Sequence, residues 1–328
     1  MKAAVLNMSP PHYNLGAHKL ANWLRSQGHT VEEFEGNPGL FLADFDLICL
    51  SVIFSWDAPA ALDVALLWKH RAEVWAGGPG LFALRSWWKE RAGFECSPGI
   101  DPRFDHQPGN YRMAFASRGC PVGCYFCIVP QLEGRTFSLN WNFQPAPILC
   151  DNNLSALPMG FQCHIVRRYS ERGAVRLLDA NSGFEPATFD WQTYCVWKYV
   201  LRGPWRFAFD YLPEIGAVRR MMEILKDEPR KKKRVYVLIG NEPMESCYER
   251  AIKVLEWGGE PFCQPIMRLN VLAKDDITIK YDWTRQSLID FARYFNRFLW
   301  KYVPLTEYTH RKNQPAPFAT SHFNWCLK

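Results

Sequence analysis

Cys120, Cys124 and Cys127 lie in the run Cys-Pro-Val-Gly-Cys-Tyr-Phe-Cys, a C-x3-C-x2-C spacing. Three thiolates on one tight loop can hold three irons of a [4Fe–4S] cube and leave the fourth iron open. A cluster that only carries electrons normally takes four cysteines, so an open iron is a place to bind a ligand. The competing chemistry is a structural zinc site, which wants four ligands, usually in two separated pairs. No fourth ligand stands at such a spacing: Cys150, Cys163 and His164 are the nearest candidates and all lie far along the chain. The spacing favours the open cluster, with zinc or unligated thiols as the alternative.

An aromatic residue, Phe126, directly precedes the third cysteine, and with it the motif resembles the signature of the radical S-adenosylmethionine superfamily. The resemblance implies that the open iron takes the amino and carboxylate end of S-adenosylmethionine. A reduced cluster then breaks the sulfonium bond, and the 5′-deoxyadenosyl radical so formed abstracts hydrogen from a substrate. It further implies a small or nucleoside-like substrate and a flavodoxin- or ferredoxin-type reductant. Isomerisation, bond cleavage, ring formation and methyl transfer all begin this way, so the reaction outcome stays open. A cluster or zinc protein that binds a partner and catalyses nothing is the reading from a different class. The run Cys127-Ile128-Val129-Pro130 also resembles the cluster loop of methylthiotransferases. Those enzymes carry three more cysteines in their N-terminal domain, where this chain has only Cys49 and Cys96.

The elements that must position this loop are α/β in character. Short apolar runs at 2–7, 30–34, 47–54 and 73–76 alternate with helical periodicity at 15–27 and 60–70, which predicts a Rossmann-like parallel sheet. This stretch, through Asp46-Leu47-Ile48-Cys49-Leu50-Ser51 and the turn Gly77-Gly78-Pro79, resembles the cobalamin-binding domain that precedes many radical S-adenosylmethionine barrels. Cobalamin is thus a conceivable cofactor, although the D-x-H-x-x-G motif of proteins that ligate cobalt through histidine is absent. Residues 97–111 are rich in proline and glycine and read as a linker, in which His106 is a solvent-facing side chain. Beyond it, strands are expected at 113–117, 148–150, 175–178, 206–209, 234–239 and 262–269, with helices between them. Six such units suit the partial (β/α)6 barrel of the superfamily. The expected organisation is a Rossmann-like domain over 1–105, a barrel over 106–282, and a C-terminal helix (283–300) and tail through 328.

In parallel α/β folds ligands gather where strands end. After the second barrel strand stand Asp151 and Asn152, in the place where the superfamily often holds the methionine amino group. After the third come Asn181 and Ser182, with the Asp179 carboxylate beside them, suited to a ribose or a carboxylate. Asp210 follows the fourth strand. Gly240 and Glu242 follow the fifth, resembling the glycine motif that shelves the adenine. Arg135, just beyond the cysteine loop, could pair with a cosubstrate or substrate carboxylate.

Composition sets the remaining limits. At 328 residues, with 48% hydrophobic and 22% charged residues, the chain reads as an ordinary globular protein of about two domains. No apolar run is long enough to span a membrane. Eleven scattered cysteines are not a secreted disulfide framework, so a reducing, cytoplasmic setting is expected. The 14 tryptophans read as core and interface packing, because no strand interleaves aromatic and basic residues. A net charge of +6 permits a nucleic-acid partner without arguing for one. The run Arg230-Lys231-Lys232-Lys233-Arg234 enters the fifth barrel strand from its amino-terminal side, and is expected as a solvated loop or a docking site for an acidic reductant.

Overall fold

The chain is described here by a computed structural model covering residues 1–274, 276–309 and 318. Its contacts divide it into two compact units, residues 1–152 with 268–276, and residues 153–267 with those from 277 onward. Among the described residues no helix is long and apolar enough to cross a membrane.

The first unit begins with β1 (Lys2–Asn7), α1 (Leu15–Ser26), β2 (Thr30–Glu35), β3 (Leu47–Ser51), α2 (Ala58–Trp68) and β4 (Glu73–Gly77). β1 and β3 are apolar at nearly every position, as strands covered on both faces must be, and they occupy the centre of the sheet. The order is β2-β1-β3-β4, all parallel. β2, with Glu32, Glu33 and Glu35, takes an exposed edge. Alternation sends Ala4, Leu6, Ile48 and Leu50 to one face, where α2 and the later helix segments α3 (Pro79–Phe82) and α4 (Arg85–Ala92) contribute Trp68, Leu81 and Trp88. Ala3, Val5, Leu47 and Cys49 go to the other, against Ala17, Ala21 and Leu24 of α1. Asn14 starts α1 by accepting from the Ala17 amide at 3.1 Å. Winding reverses between β1 and β3, and ligands in such sheets collect beside that reversal at the strands' carboxyl ends.

The predicted linker is structured. Asp101 caps a short helix, α5 (Pro102–Asp105), and Asp105 is buried. His106 is exposed as expected, with Asn140 2.9 Å from its ring. The expected strand at 113–117 is in fact two, β5 (Met113–Ala114) and β6 (Ser117–Arg118). The break has a cause: the buried Asp151 carboxylate accepts from the Ala116 amide at 2.9 Å and the Ser117 hydroxyl at 2.5 Å, turning the backbone aside. After α6 (Val129–Leu132), β7 (Ser138–Leu139) pairs antiparallel with β6, while β8 (Ile148–Leu149) runs parallel to β5.

The second unit carries α7 (Met159–Ser170), β9 (Asp179–Ala180), α8 (Trp191–Trp197), β10 (Trp205–Phe209), α9 (Ile215–Ile224), β11 (Lys233–Ile239), α10 (Met244–Glu256), β12 (Glu260–Pro265) and α11 (Arg285–Asn296). β10, β11 and β12 form a parallel sheet in that order. The third barrel strand expected at 175–178 is displaced. That segment lies against the turn at 201–203, where the Leu177 carbonyl accepts from the Arg202 amide, and the two-residue β9 follows it. The sixth strand ends at Pro265 rather than 269, and the last helix stops at Asn296, two residues before Phe298 takes a φ of 57°. Of the expected tail, residues 310–317 and 319–328 lie outside the described residues. Trp197, Trp205 and Trp283 are buried, in keeping with tryptophans used for packing.

The basic run is solvated in part and engaged in part. Arg230 donates to the Gly259 and Leu255 carbonyls at the end of α10, and Lys232 to those of Arg202 and Gly203. Lys233 is buried and Arg234 pairs with Glu260 at 3.4 Å. Arg230 and Lys231 are exposed, so the run combines carbonyl caps with a solvated basic edge.

Candidate functional site

The cysteine loop is shaped by glycines. Gly119, before Cys120, has φ +88°, and a Cβ there would stand 2.2 Å from the Thr136 carbonyl oxygen. Gly123, before Cys124, has φ +71°, with the Arg135 guanidinium 3.1 Å from its Cβ position. Both conformations belong to glycine. The Cys127 amide donates to the Cys124 carbonyl at 3.1 Å, and the Cys120 amide to that of Gly134 at 3.2 Å, which closes the loop at its neck. All three cysteines are half-buried, and the Phe126 ring meets that of Tyr125 edge-on at 5.3 Å.

One carboxylate ties this neck together. Glu133 Oε2 accepts from the Gly119 amide at 2.9 Å and from Asn152 Nδ2 at 2.7 Å; Oε1 accepts from Arg118 Nη1 at 3.1 Å. Hydrogen bonds to a charged group contribute about 1.5–3 kcal/mol each. Arg118 also grips Asp105, Nη2 to Oδ1 at 2.6 Å, and Lys19 Nζ lies 3.2 Å from the same oxygen. Burial alone would raise the Asp105 carboxyl, but Arg118 and Lys19 hold it below the ordinary carboxylate range. The buried chain Lys19–Asp105–Arg118–Glu133 alternates in sign and sums to no net charge.

These residues form part of the wall of a cavity of about 770 Å³ within the first unit. Its floor is the carboxyl edge of the sheet, with Ser51, Gly77 and Gly78, and its far side includes Ile128 and Glu133. Gly78, which also lines the cavity, has φ +103°, and a Cβ would stand 2.3 Å from the Val52 carbonyl oxygen, so the close approach to Val52 requires glycine there.

The site residues expected from sequence fare differently. Asn152 is brought to the loop, as a donor to Glu133 and to the Gly119 carbonyl. Asp151 is a correction: it has no exposed surface, and burial pushes its carboxyl up to about 6, against the pull of Ser117, two amides and Arg118. It shapes β5 and β6 and has no surface with which to touch a cosubstrate. Arg135 is exposed beside Gly123.

In the second unit, Asn181 and Ser182 are exposed at a turn. Asp179, within β9, is held by Arg206 through two bonds of 2.7 Å. Gly240 has φ +85° and faces Leu288 at 3.2 Å from its Cβ position. The Glu242 carboxylate takes the Leu212 amide at 3.1 Å and lies 3.1 Å from Arg250 Nε. Arg250 and Glu133 are the residues the sequence reading missed. A signal for Arg250 existed: it falls on the buried stripe Met244, Cys247, Ala251 and Val254 of α10.

Burial raises the Asp210 carboxyl to about 7, and Glu214 and Glu185 add to this while Arg250 opposes it. The folded chain therefore binds this proton more tightly than the unfolded chain. Stability falls as pH climbs from the ordinary carboxylate range to about 7, and the whole penalty is present above that. Asp210→Asn is expected to raise the urea midpoint by clearly more at pH 8 than at pH 5. Equal shifts at both values would disprove the assignment.

The donor set of the loop is three half-buried thiols. Among the described residues no three His, Cys, Asp or Glu side chains are gathered so that one metal ion could sit among them. A cube spreads its irons and takes one thiolate at each, which three half-buried thiols on a glycine-shaped loop can supply. No family model matches the chain, and no curated protein matches it in sequence. Among solved structures it resembles the radical S-adenosylmethionine methyltransferase TsrM from Kitasatospora setae, solved with cobalamin and a [4Fe–4S] cluster bound. The TM-score is 0.58 at 13% identity, over 80% of this chain and 74% of that one. At that identity the likeness is one of fold: this chain has a mixed α/β fold with parallel sheets, similar to that of TsrM.

Proposed function

We propose that the chain is a radical S-adenosylmethionine enzyme, built as an N-terminal Rossmann-like layer followed by a partial (β/α)6 barrel, with a boundary near residue 105. The observation that carries this reading is the C-x3-C-x2-C loop held at its neck by Gly119 and Glu133 in a chain of that fold. Cys120, Cys124 and Cys127 would hold the cluster. When bound, such a cluster passes one electron to the sulfonium bond of S-adenosylmethionine and releases a carbon radical. The protein's part is to orient, tune and shield. Phe126 packs the loop; Arg135 stands ready as a cation for a carboxylate; Asn181, Ser182, Asp210 and Gly240 serve the cosubstrate or a small or nucleoside-like substrate. A flavodoxin- or ferredoxin-type protein supplies the electron in a reducing compartment.

A second reading, cobalamin-dependent methyl transfer, is favoured by the cavity of about 770 Å³ at the carboxyl edge of the first sheet, whose lining reaches Ile128 and Glu133. One preparation tests both. Protein reconstituted anaerobically with iron and sulfide is given S-adenosylmethionine and dithionite and assayed for 5′-deoxyadenosine, with Cys124→Ala as control. Product that vanishes in the variant supports the first reading. A loaded cluster that yields neither product nor methyl transfer would leave a binding protein. Hydroxocobalamin retained after desalting, with a changed absorbance spectrum, supports the second reading, and its complete loss removes it.

A further inference from the structure

We propose that Glu133 is a positioning residue for the cysteine loop, acting through the Gly119 amide and the Asn152 side chain. The inference rests on the reading of that loop as a cluster carrier. Glu133 directly follows α6, which itself begins two residues after Cys127, so it marks the exit of the loop. Gly119 and Arg118 mark its entry, and Asn152 belongs to the turn after β8. A single carboxylate with 6% of its side chain exposed thus joins three separate stretches of chain.

The partners give this joint its direction. Gly119 cannot move toward Thr136, whose carbonyl already stands where a Cβ would be, so the Glu133 bond fixes the orientation of the peptide that leads into Cys120. Arg118 neutralises the carboxylate and is itself anchored by Asp105, which also holds Lys19 through its side chain and its backbone carbonyl. Arg118 further stacks on Phe115, with 3.6 Å from its guanidinium carbon to the ring centre. The loop's register is therefore set by a group that ligates nothing.

The test uses the full chain, first without iron. Reduced protein is pulsed anaerobically with iodoacetamide, and modification of Cys120, Cys124 and Cys127 is read by mass spectrometry against the half-buried Cys195 as an internal reference. Glu133→Ala removes three charged hydrogen bonds at the neck, and the loss of even one should open the loop more often, so the variant is expected to speed Cys120 modification at least about tenfold relative to Cys195. Glu133→Gln, which keeps an acceptor but loses the charge, should fall between. After reconstitution, the electron paramagnetic resonance of the reduced cluster should shift in Glu133→Ala and return toward the native signal in Glu133→Gln. A Glu133→Ala protein with native melting, native thiol rates and a native signal overturns the proposal. Should that variant not fold, Asn152→Ala removes only the two bonds that Asn152 gives to Glu133 and to the Gly119 carbonyl; unchanged Cys120 reactivity there has the same force. Native protein that takes up no iron, while its thiol rates still answer to Glu133, would reject the cluster reading and keep the clamp.

Discussion

Arg250→Leu is expected to lower the unfolding free energy by about 3–5 kcal/mol, the range seen when one partner of a buried ion pair is removed. Arg250 has no exposed surface. Its guanidinium donates to the Phe209 and Leu238 carbonyls, at the carboxyl ends of β10 and β11, and lies 3.1 Å from Glu242. Leucine fills the space but leaves two buried carbonyls and a carboxylate without their cation. Arg250→Lys should recover little, because one ammonium cannot reach partners arranged for a planar fork. Urea denaturation of both variants decides the matter, and a loss under about 1 kcal/mol would show that water replaces the guanidinium at no great penalty.

Gly119→Ala should abolish iron uptake in a chain that remains folded. The added methyl meets the Thr136 carbonyl oxygen at 2.2 Å, and a left-handed backbone costs an L-residue about 1–2 kcal/mol before any clash. Relief requires the neck to open, which pulls Cys120 away from Cys124 and Cys127. Gly134→Ala is the matched control: its φ is +91°, yet nothing stands within 4 Å of the new methyl. It should carry the backbone strain alone and keep most of its iron. Iron per chain after reconstitution separates the two. Equal uptake by both would show that the close approach to Thr136 does not govern the loop.

The sequence made legible whatever local chemistry decides. Continuous apolar runs marked β1 and β3, glycine marked the end of α1, and the cysteine spacing marked the loop. It did not disclose what depends on a distant partner. The strand expected at 113–117 divides because Asp151, far along the chain, captures Ala116 and Ser117. Asp151 and Glu242 stand at strand ends, where sequence points to a ligand, but sequence does not show the backbone amides of Ala116 and Leu212 that their carboxylates accept from. The basic run at 230–234 reads as solvated, but sequence does not show the carbonyls that Arg230 and Lys232 cap. Glu133 sat unremarked between the cysteines and Arg135, since its value lies wholly in three partners drawn from elsewhere.

The first compact unit runs through residue 152, and this bears on how such an enzyme can be recombined. A modular layer, exchangeable like a cassette, would be cut in the proline- and glycine-rich stretch around 97–111. In this chain the cut passes through the joint itself: Asp105 holds Lys19 and Arg118, Tyr111 accepts from Asn22 at 3.0 Å, and Tyr13 accepts from the Arg112 amide at 3.2 Å. The layer and the cysteine loop are inherited together. A chimera that keeps this unit whole must carry residues 1–152 and 268–276 together.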